Sequence, residues 1–209
     1  MPKWHNNRRK SKWLIIRNTS GELQSTTLQT WLQWFGDLGV IKKRQKPLLT
    51  YEHIFNDGQG IIELELVFIA LDRDEDIRKL KSIEATGAYI NELSEVPQAV
   101  LHHLIGRVNG RYPSTSFCAE KYWSGIICDT NPPDDQSWWF QMAEDTRPAR
   151  WEFFKQPSGL SLDAENIENL PDNYYENIQA GKDPDWVQVY VHGNYGFVTE
   201  GKPVYPEYR

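Results

Sequence analysis

Two short apolar segments, each followed at once by polar residues, constrain the fold of this chain most. They are residues 87–90, followed by Asn91 and Glu92, and residues 125–128, followed by Asp129, Thr130 and Asn131. Short continuous apolar segments are typical of buried strands in a parallel α/β sheet, which builds its site at the carboxyl ends of the strands. The pattern predicts that these polar residues share a site. In a nucleotide hydrolase, the first segment would place a carboxylate beside the attacking water and the second would sense the γ-phosphate.

The other segments support an α/β fold. Strands are predicted at residues 13–16, 48–55, 61–71, 88–91, 122–128 and 151–154, with a turn at residues 56–60. Helices are predicted from Ser25-Thr26-Thr27 to Phe35, from Asp72 through Leu80, over residues 96–108, and through residues 138–142. Strands that alternate with helices indicate a mostly parallel sheet. The character of the chain changes later: residues 171–181 predict a short helix, and residues 183–193 fit either a helix or a strand.

Charge and composition exclude several classes of protein. A formal net charge of −6 over 209 residues argues against a protein that coats nucleic acid along its whole length. Two local basic runs, residues 8–12 and 42–46, are predicted to be solvated loops. The two cysteines and five histidines show no metal-ligand spacing, and the cysteines indicate a reducing compartment. The longest apolar segment, residues 61–71, contains Glu63 and Glu65, so no membrane span is predicted.

Several motifs, taken in order, resemble the ATPase region of tailed-phage terminase large subunits. They are Arg17-Asn18-Thr19, Thr26-Thr27 with Thr30-Trp31, residues 68–73, residues 86–92, Gly106-Arg107 with Arg111-Tyr112-Pro113, and residues 129–133. The residues Asn169-Leu170-Pro171, Tyr174-Tyr175 and Gly193-Asn194-Tyr195-Gly196 resemble the hinge between ATPase and nuclease in that family. The resemblance covers nearly the whole chain. It implies an incomplete P-loop NTPase-type (ASCE) domain at residues 1–165 and a linker or hinge at residues 166–209.

The resemblance also implies a function and a set of partners. This family uses ATP, with Mg²⁺, to pump double-stranded viral DNA into a prohead in the cytoplasm of the bacterial host. The expected partners are DNA, the portal protein, the terminase small subunit and further copies of the protein in a ring.

Two parts of that machine have no counterpart in the sequence. A Gly-x-x-x-x-Gly-Lys-[Ser/Thr] loop, which would cradle the phosphates, does not occur in it. In the family this loop precedes the strand at residues 13–16, and a nuclease with metal-binding carboxylates follows the hinge. We therefore expect an internal segment of a terminase, or one piece of a split or truncated gene. Alone, it is expected to bind ATP poorly and to turn none over.

The resemblance assigns catalytic roles to two residues. Glu92 matches the carboxylate that orients water for attack on the γ-phosphate. Arg78 lies where the family often carries an arginine that reaches the nucleotide of a neighbouring subunit, and Arg107 and Arg111 are rival candidates. For Glu92, a carboxylate at a helix N-terminus is the structural alternative. For each arginine, the alternative is a surface ion pair.

Three further residues are expected on the cofactor side of the site. Asn91 occupies the position where the family more often has an aspartate that holds magnesium through a water. Its amide can hydrogen-bond that water but adds no negative charge. Thr130 and Asn131 match the family's coupling motif, although turn chemistry would also explain this Asp-Thr-Asn-Pro-Pro sequence.

Two other functions remain open from the sequence. One is a non-catalytic module that binds DNA or the portal protein through its basic loops and tryptophans. The other is an aromatic-rich carbohydrate-binding protein, which predicts antiparallel strands throughout and is opposed by the helical periodicity of residues 28–35 and 96–108.

Overall fold

The structure, a computed structural model, describes residues 8–43, 49–71, 74–108, 112 and 123–196. The chain divides into two compact units, Met1–Asp129 and Thr130–Arg209. The functional boundary after residue 165 stays a prediction.

A six-stranded sheet forms the first unit. Its strands are β1 (Arg8–Arg17), β2 (Val40–Lys43), β3 (Leu49–Asn56), β4 (Ile61–Ala70), β5 (Gly87–Ile90) and β6 (Gly125–Cys128). The order across the sheet is β2-β3-β4-β1-β5-β6. β1 pairs in parallel with β4 and β5, and β5 pairs in parallel with β6. β2, β3 and β4 pair antiparallel. The predicted α/β class with a mostly parallel sheet is confirmed, although β2 was not foreseen.

Helical segments cover both faces of this sheet. They are α1 (Ser20–Glu22), a π-helical segment (Leu23–Thr27), α2 (Leu28–Phe35), α3 (Asp74–Leu80) and α4 (Gln98–Ile105). On one face the helix from α1 to α2 packs in a cluster of Ile15, Leu23, Leu28, Tyr51, Leu66 and Phe68. Neighbouring residues of a strand point to opposite faces, so Leu14 and Ile16 belong to the other face. Both are fully buried, as are Leu80 of α3 and Leu101 of α4.

The first helix begins earlier than the sequence predicted. Thr19 is its N-cap residue: the Thr19 hydroxyl accepts a hydrogen bond from the Glu22 backbone N–H at 3.3 Å and donates one to the Glu22 carboxylate at 2.8 Å. Ser25-Thr26-Thr27, predicted as the start, lies inside the π-helical segment. The Thr19-x-x-Glu22 spacing of a capping box was the signal that could have shown the true start.

The basic run at residues 8–12 is the start of β1, so its prediction as a solvated loop is wrong. Its side chains form ion pairs with carboxylates. Arg8 and Lys12 approach the carboxylates of Glu63 and Glu65 at 2.5 and 3.3 Å. Both glutamates belong to β4, which runs parallel to β1 in register. Arg9 pairs with Asp57 in the turn between β3 and β4. These pairs partly neutralise the charge that the sequence displays as a basic patch.

The second unit contains short helices. They are α5 (Trp138–Phe140), a π-helical segment (Gln141–Thr146), α6 (Tyr174–Gln179) and α7 (Pro184–Tyr190). The ambiguous segment around residue 187 is therefore helical, and the Asp183 side chain caps its start. Residues 151–154 form no strand, contrary to the prediction. Instead, the rings of Trp151 and Phe153 stack, with their centroids 6.2 Å apart.

Candidate active site at the carboxyl edge of the sheet

Three parallel strands deliver polar residues to one edge of the first unit. Arg17 ends β1, Asn91 and Glu92 follow β5, and Asp129 follows β6. Backbone hydrogen bonds hold these ends together. The Asn91 N–H donates to the Ile16 carbonyl at 3.0 Å, and the Leu93 N–H donates to the Asp129 carbonyl at 2.9 Å. The 91–92 end and Asp129 therefore lie together, and the site that the sequence predicts at these ends stays a prediction.

Glu92 occupies a strained position close to the core. Its backbone is left-handed, with φ 55° and ψ 64°; Leu93, which follows it, and Ile90, two residues before it, are fully buried. Its carboxylate lies 3.9 Å from the Arg17 guanidinium, and its side chain is 28% exposed. Strained backbone of this kind is found preferentially at functional sites. Glu92 is thus a partly shielded carboxylate in a fixed place.

This left-handed geometry gives a direct stability test. Glu92→Gly and Glu92→Ala both remove the carboxylate, but only glycine adopts positive φ without a steric cost. We expect the glycine variant to be more stable than the alanine variant by about 1 kcal/mol. Urea unfolding of both variants measures the difference. Equal stability, or a more stable alanine variant, would show that Glu92 does not hold this backbone conformation.

Arg17 belongs to one of the motifs quoted from the sequence, but it was not among the predicted site residues. Its side chain is only 10% exposed, and its guanidinium lies 3.7 Å from Glu22 and 3.5 Å from Glu95, in addition to Glu92. Its Nε atom is buried without a hydrogen-bond partner. A nine-tenths buried cation among three carboxylates fixes the charge distribution of the site.

Asn91 links the strand ends through both ends of its amide. Its Oδ1 accepts a hydrogen bond from the Thr27 hydroxyl at 2.8 Å and one from Arg17 Nη1 at 3.4 Å. Its Nδ2 donates to Asp129 Oδ2 at 3.0 Å. Thr27 belongs to the π-helical segment Leu23–Thr27, and such segments occur often at functional sites.

Two neighbours of Asp129 are held in their neutral forms. Burial, followed by the charge of Asp129, raises the pKa of the Tyr89 phenol well above its usual value. The same two causes raise the pKa of the Cys128 thiol to about 12. At neutral pH, Asp129 therefore faces an uncharged phenol and an uncharged thiol.

An apolar groove of about 500 Å³ lies beside this cluster. Its walls come from one face of the sheet and from the first helix: Trp13, Ile15, Leu64, Leu66, Phe68, Tyr89, Asn91 and Ile127, with Thr26, Thr27, Thr30, Trp31, Trp34 and Phe35. Two of the lining residues are notably exposed, Trp34 at 73% and Ile127 at 49%. The groove therefore exposes apolar surface next to the polar edge.

The other predicted site residues lie elsewhere or outside the described chain. Arg78 is on α3 with its side chain exposed, and Arg107 is half-buried just after α4. Arg111 lies outside the described residues. Thr130 and Asn131 open the second unit. The roles of all these residues stay predictions.

The described residues do not by themselves form a magnesium site. The Oδ1 atom of Asn91 already accepts from Thr27 and Arg17, and the Arg17 cation lies beside it. In the described part of the chain, no group of three or more His, Cys, Asp and Glu side chains could hold a metal ion. The edge offers carboxylates and a fixed cation, but the sequence contains no phosphate loop to complete it.

Solved structures supply the comparison that sequences do not. No protein-family model matches the chain, and no curated protein is significantly similar in sequence. The chain is similar in structure to the large terminase of a thermophilic bacteriophage, with a TM-score of 0.58 at 11% identity over 90% of this chain. The fold is terminase-like. A structure of the same phage terminase in complex with ADP gives a TM-score of 0.54 at 16% identity, again over 90% of this chain.

The terminase-like fold covers only part of that larger protein. This chain spans 41% of the phage terminase chain in both comparisons. At such low identity the likeness establishes the fold and leaves the activity to be argued from the site. Among the described segments of this terminase-like chain, no helix has the length and apolar character to cross a bilayer.

Proposed function

We propose that this chain belongs to the ATPase core of a phage terminase large subunit, the motor that moves double-stranded viral DNA into the prohead. The observation that carries this proposal is Glu92, held beside Arg17 at the carboxyl edge of a terminase-like sheet. A fixed carboxylate at this edge can orient a water for attack on the γ-phosphate of ATP. Phosphoryl transfer depends on such positioning.

The remaining roles follow the resemblance. Arg78 acts on the nucleotide of a neighbouring subunit, and Thr130 and Asn131 couple the state of the nucleotide to the rest of the motor. Asn91 belongs to the cofactor side of the site, and ATP and Mg²⁺ bind to the intact protein. DNA, the portal protein, the small subunit and other copies in a ring are its partners, in the cytoplasm of the bacterial host.

The groove and β6 offer a place for the phosphate-binding element that the sequence does not contain. β6 is the outermost described strand on its side of the sheet. A parallel strand added beside it would bring a phosphate loop to the edge where Glu92 and Asp129 stand. That strand would come from a segment that precedes β1 in the intact protein.

The handedness of the fold supports a position in the groove for the helix that would follow this strand. Crossover connections between parallel strands are almost always right-handed. A connection from a strand beside β6 to β1 runs in the same direction across the sheet as the connection from β1 to β4, which contains α2. Its helix would therefore lie on the face of α2, where Trp34 and Ile127 are exposed.

The test is a chimera that restores this element. The strand, phosphate loop and helix of a terminase large subunit with a Gly-x-x-x-x-Gly-Lys-[Ser/Thr] loop are joined ahead of Arg8, and phosphate release from ATP is measured. We expect no turnover by the chain alone and steady turnover by the chimera, lost when the loop lysine becomes alanine. A folded chimera that binds ATP without hydrolysing it overturns the proposal. Robust ATP hydrolysis by the chain alone, abolished by Glu92→Gln, would show that the chain does not need an added phosphate loop.

The alternative of a non-catalytic DNA-binding module has less support. The basic residues of β1 that would form its contact surface are paired with Glu63, Glu65 and Asp57. DNA binding that weakens steeply with salt and is unaffected by nucleotide would nevertheless favour the module.

A further inference from the structure

The amide of Asn91 stands between a cation and an anion. Its oxygen faces the Arg17 guanidinium and the Thr27 hydroxyl, both of which donate hydrogen bonds to it. Its nitrogen faces the Asp129 carboxylate, with N–O distances of 3.0 and 3.3 Å to the two oxygens. The partners come from β1, the first helix and the end of β6. The orientation of the amide is therefore fixed by chemistry on both sides.

An aspartate could not make the same contacts. Its second oxygen would replace the Asn91 nitrogen about 3 Å from the Asp129 carboxylate, where two negative charges raise the pKa of one group. A leucine would leave Arg17, Thr27 and Asp129 without their shared partner. The amide of asparagine accepts on one side and donates on the other, as these partners require.

We propose that Asn91 is a positioning residue that joins Arg17 to Asp129, and that Asp129 supplies the negative charge that the resemblance places at position 91. In this arrangement the carboxylate stands at the end of β6 instead of at the end of β5. Asn91 is then a residue that positions its neighbours, and not one that binds the cofactor itself. The link from Arg17 to Asp129 does not depend on the proposed function, whereas the role of the Asp129 charge at a nucleotide site rests on it. Asp129 becomes a further residue of the site.

Several charged and titratable groups of the described residues surround Arg17, Asn91 and Asp129. Arg17 faces it from β1, and Glu22 approaches Arg17 from α1. Glu92 and Glu95 approach Arg17 from the segment after β5. Tyr89 contacts Asp129 as a neutral phenol, and Cys128 precedes Asp129 as a neutral thiol. The test must therefore follow the carboxyl groups individually.

The experiment uses the full chain in four forms: the unchanged chain, Asn91→Asp, Asp129→Asn, and the reciprocal double variant. Side-chain carboxyl groups are titrated by NMR, and melting temperatures are recorded at pH 4.5 and 7.5. In Asn91→Asp, we expect one carboxyl of the coupled pair to titrate more than about one pH unit above Asp129 of the unchanged chain. Folding raises the pKa of this acid, so the folded Asn91→Asp chain becomes less stable as the pH rises. Its loss in melting temperature, relative to the unchanged chain, is therefore larger at pH 7.5 than at pH 4.5.

The double variant decides between positioning and simple packing. It places one carboxylate and one amide at the same two positions, so we expect its titration to lose the upward shift. Its melting temperature at pH 7.5 should recover most of the loss seen in Asn91→Asp. If Asn91→Asp does not fold at pH 7.5, recovery of folding by the double variant still supports the proposal. A double variant as unstable as Asn91→Asp, or an Asn91→Asp chain without the shifted titration, overturns it. None of these outcomes depends on ATP hydrolysis, so failure here is separate from failure of the chimera.

Discussion

Glu92→Gln should reduce ATP hydrolysis by the phosphate-loop chimera by about 10²–10⁴-fold, the usual contribution of a positioned acid or base. The substitution keeps the size of the side chain, removes the negative charge and turns one accepting oxygen into a donating nitrogen. On the proposed function the effect should fall on kcat, because Glu92 would act on the water and the phosphate loop would hold the nucleotide. Single-turnover hydrolysis and a separate ATP-binding measurement distinguish the two.

Glu95 provides a matched control for this prediction. It lies three residues later, and its carboxylate is 3.5 Å from the same Arg17 guanidinium. Glu95→Gln changes the net charge of the cluster by the same amount but leaves Glu92 in place. We expect less than a threefold change in turnover. Equal losses in both variants would mean that the charge of the cluster, and not the position of Glu92, supports hydrolysis.

Arg17→Gln should be the most destabilising single change at this edge. Removing one partner of a buried ion pair costs about 3–5 kcal/mol, because the charges that remain lose their counter-ion. The three glutamates are 28–41% exposed, so solvent offsets part of that cost. We expect a loss of about 2–3 kcal/mol in the free energy of unfolding, measured by urea denaturation at neutral pH.

The exposed ion pair between Lys10 of β1 and Glu63 of β4 serves as the comparison for Arg17. Lys10 is 57% exposed and 3.9 Å from Glu63, so Lys10→Gln should cost less than about 0.5 kcal/mol. A loss in Arg17→Gln no larger than that in Lys10→Gln would mean that the buried guanidinium adds no more to stability than an exposed lysine.

The sheet was largely predictable because its strands carry local signals. The apolar segments at residues 13–16, 61–71, 88–91 and 122–128 all contribute strands to one sheet. The charged start of β1 could not be predicted in the same way. Arg8 and Lys12 are stabilised by Glu63 and Glu65, more than fifty residues away, and only the parallel pairing brings them together.

The site was predictable in part for the same reason. The place of Glu92 after β5 was foreseen because a polar pair ends an apolar strand, which is a local pattern; its role stays a prediction. The place of Arg17 in the site could not be predicted from its motif, because two of its three carboxylate partners, Glu92 and Glu95, lie more than seventy residues further along the chain. From the sequence, the amide at position 91 was expected to add less to magnesium binding than an aspartate would. The hydrogen bond that this amide donates to Asp129, at the end of the neighbouring strand, is visible only in the structure.

One turn of the first helix has a consequence for how its length can vary. The π-helical segment Leu23–Thr27 holds one residue more than an α-helical turn would, and Thr27 reaches Asn91 from its end. A wide turn of this kind absorbs one extra residue while the helix on either side keeps nearly the same face toward the sheet. Deleting one residue from this turn would restore an ordinary α-turn with α2 still facing the sheet, whereas a deletion within α2 would rotate the residues beyond it by about 100°. A change of one residue in length should therefore be tolerated better in this segment than in α2.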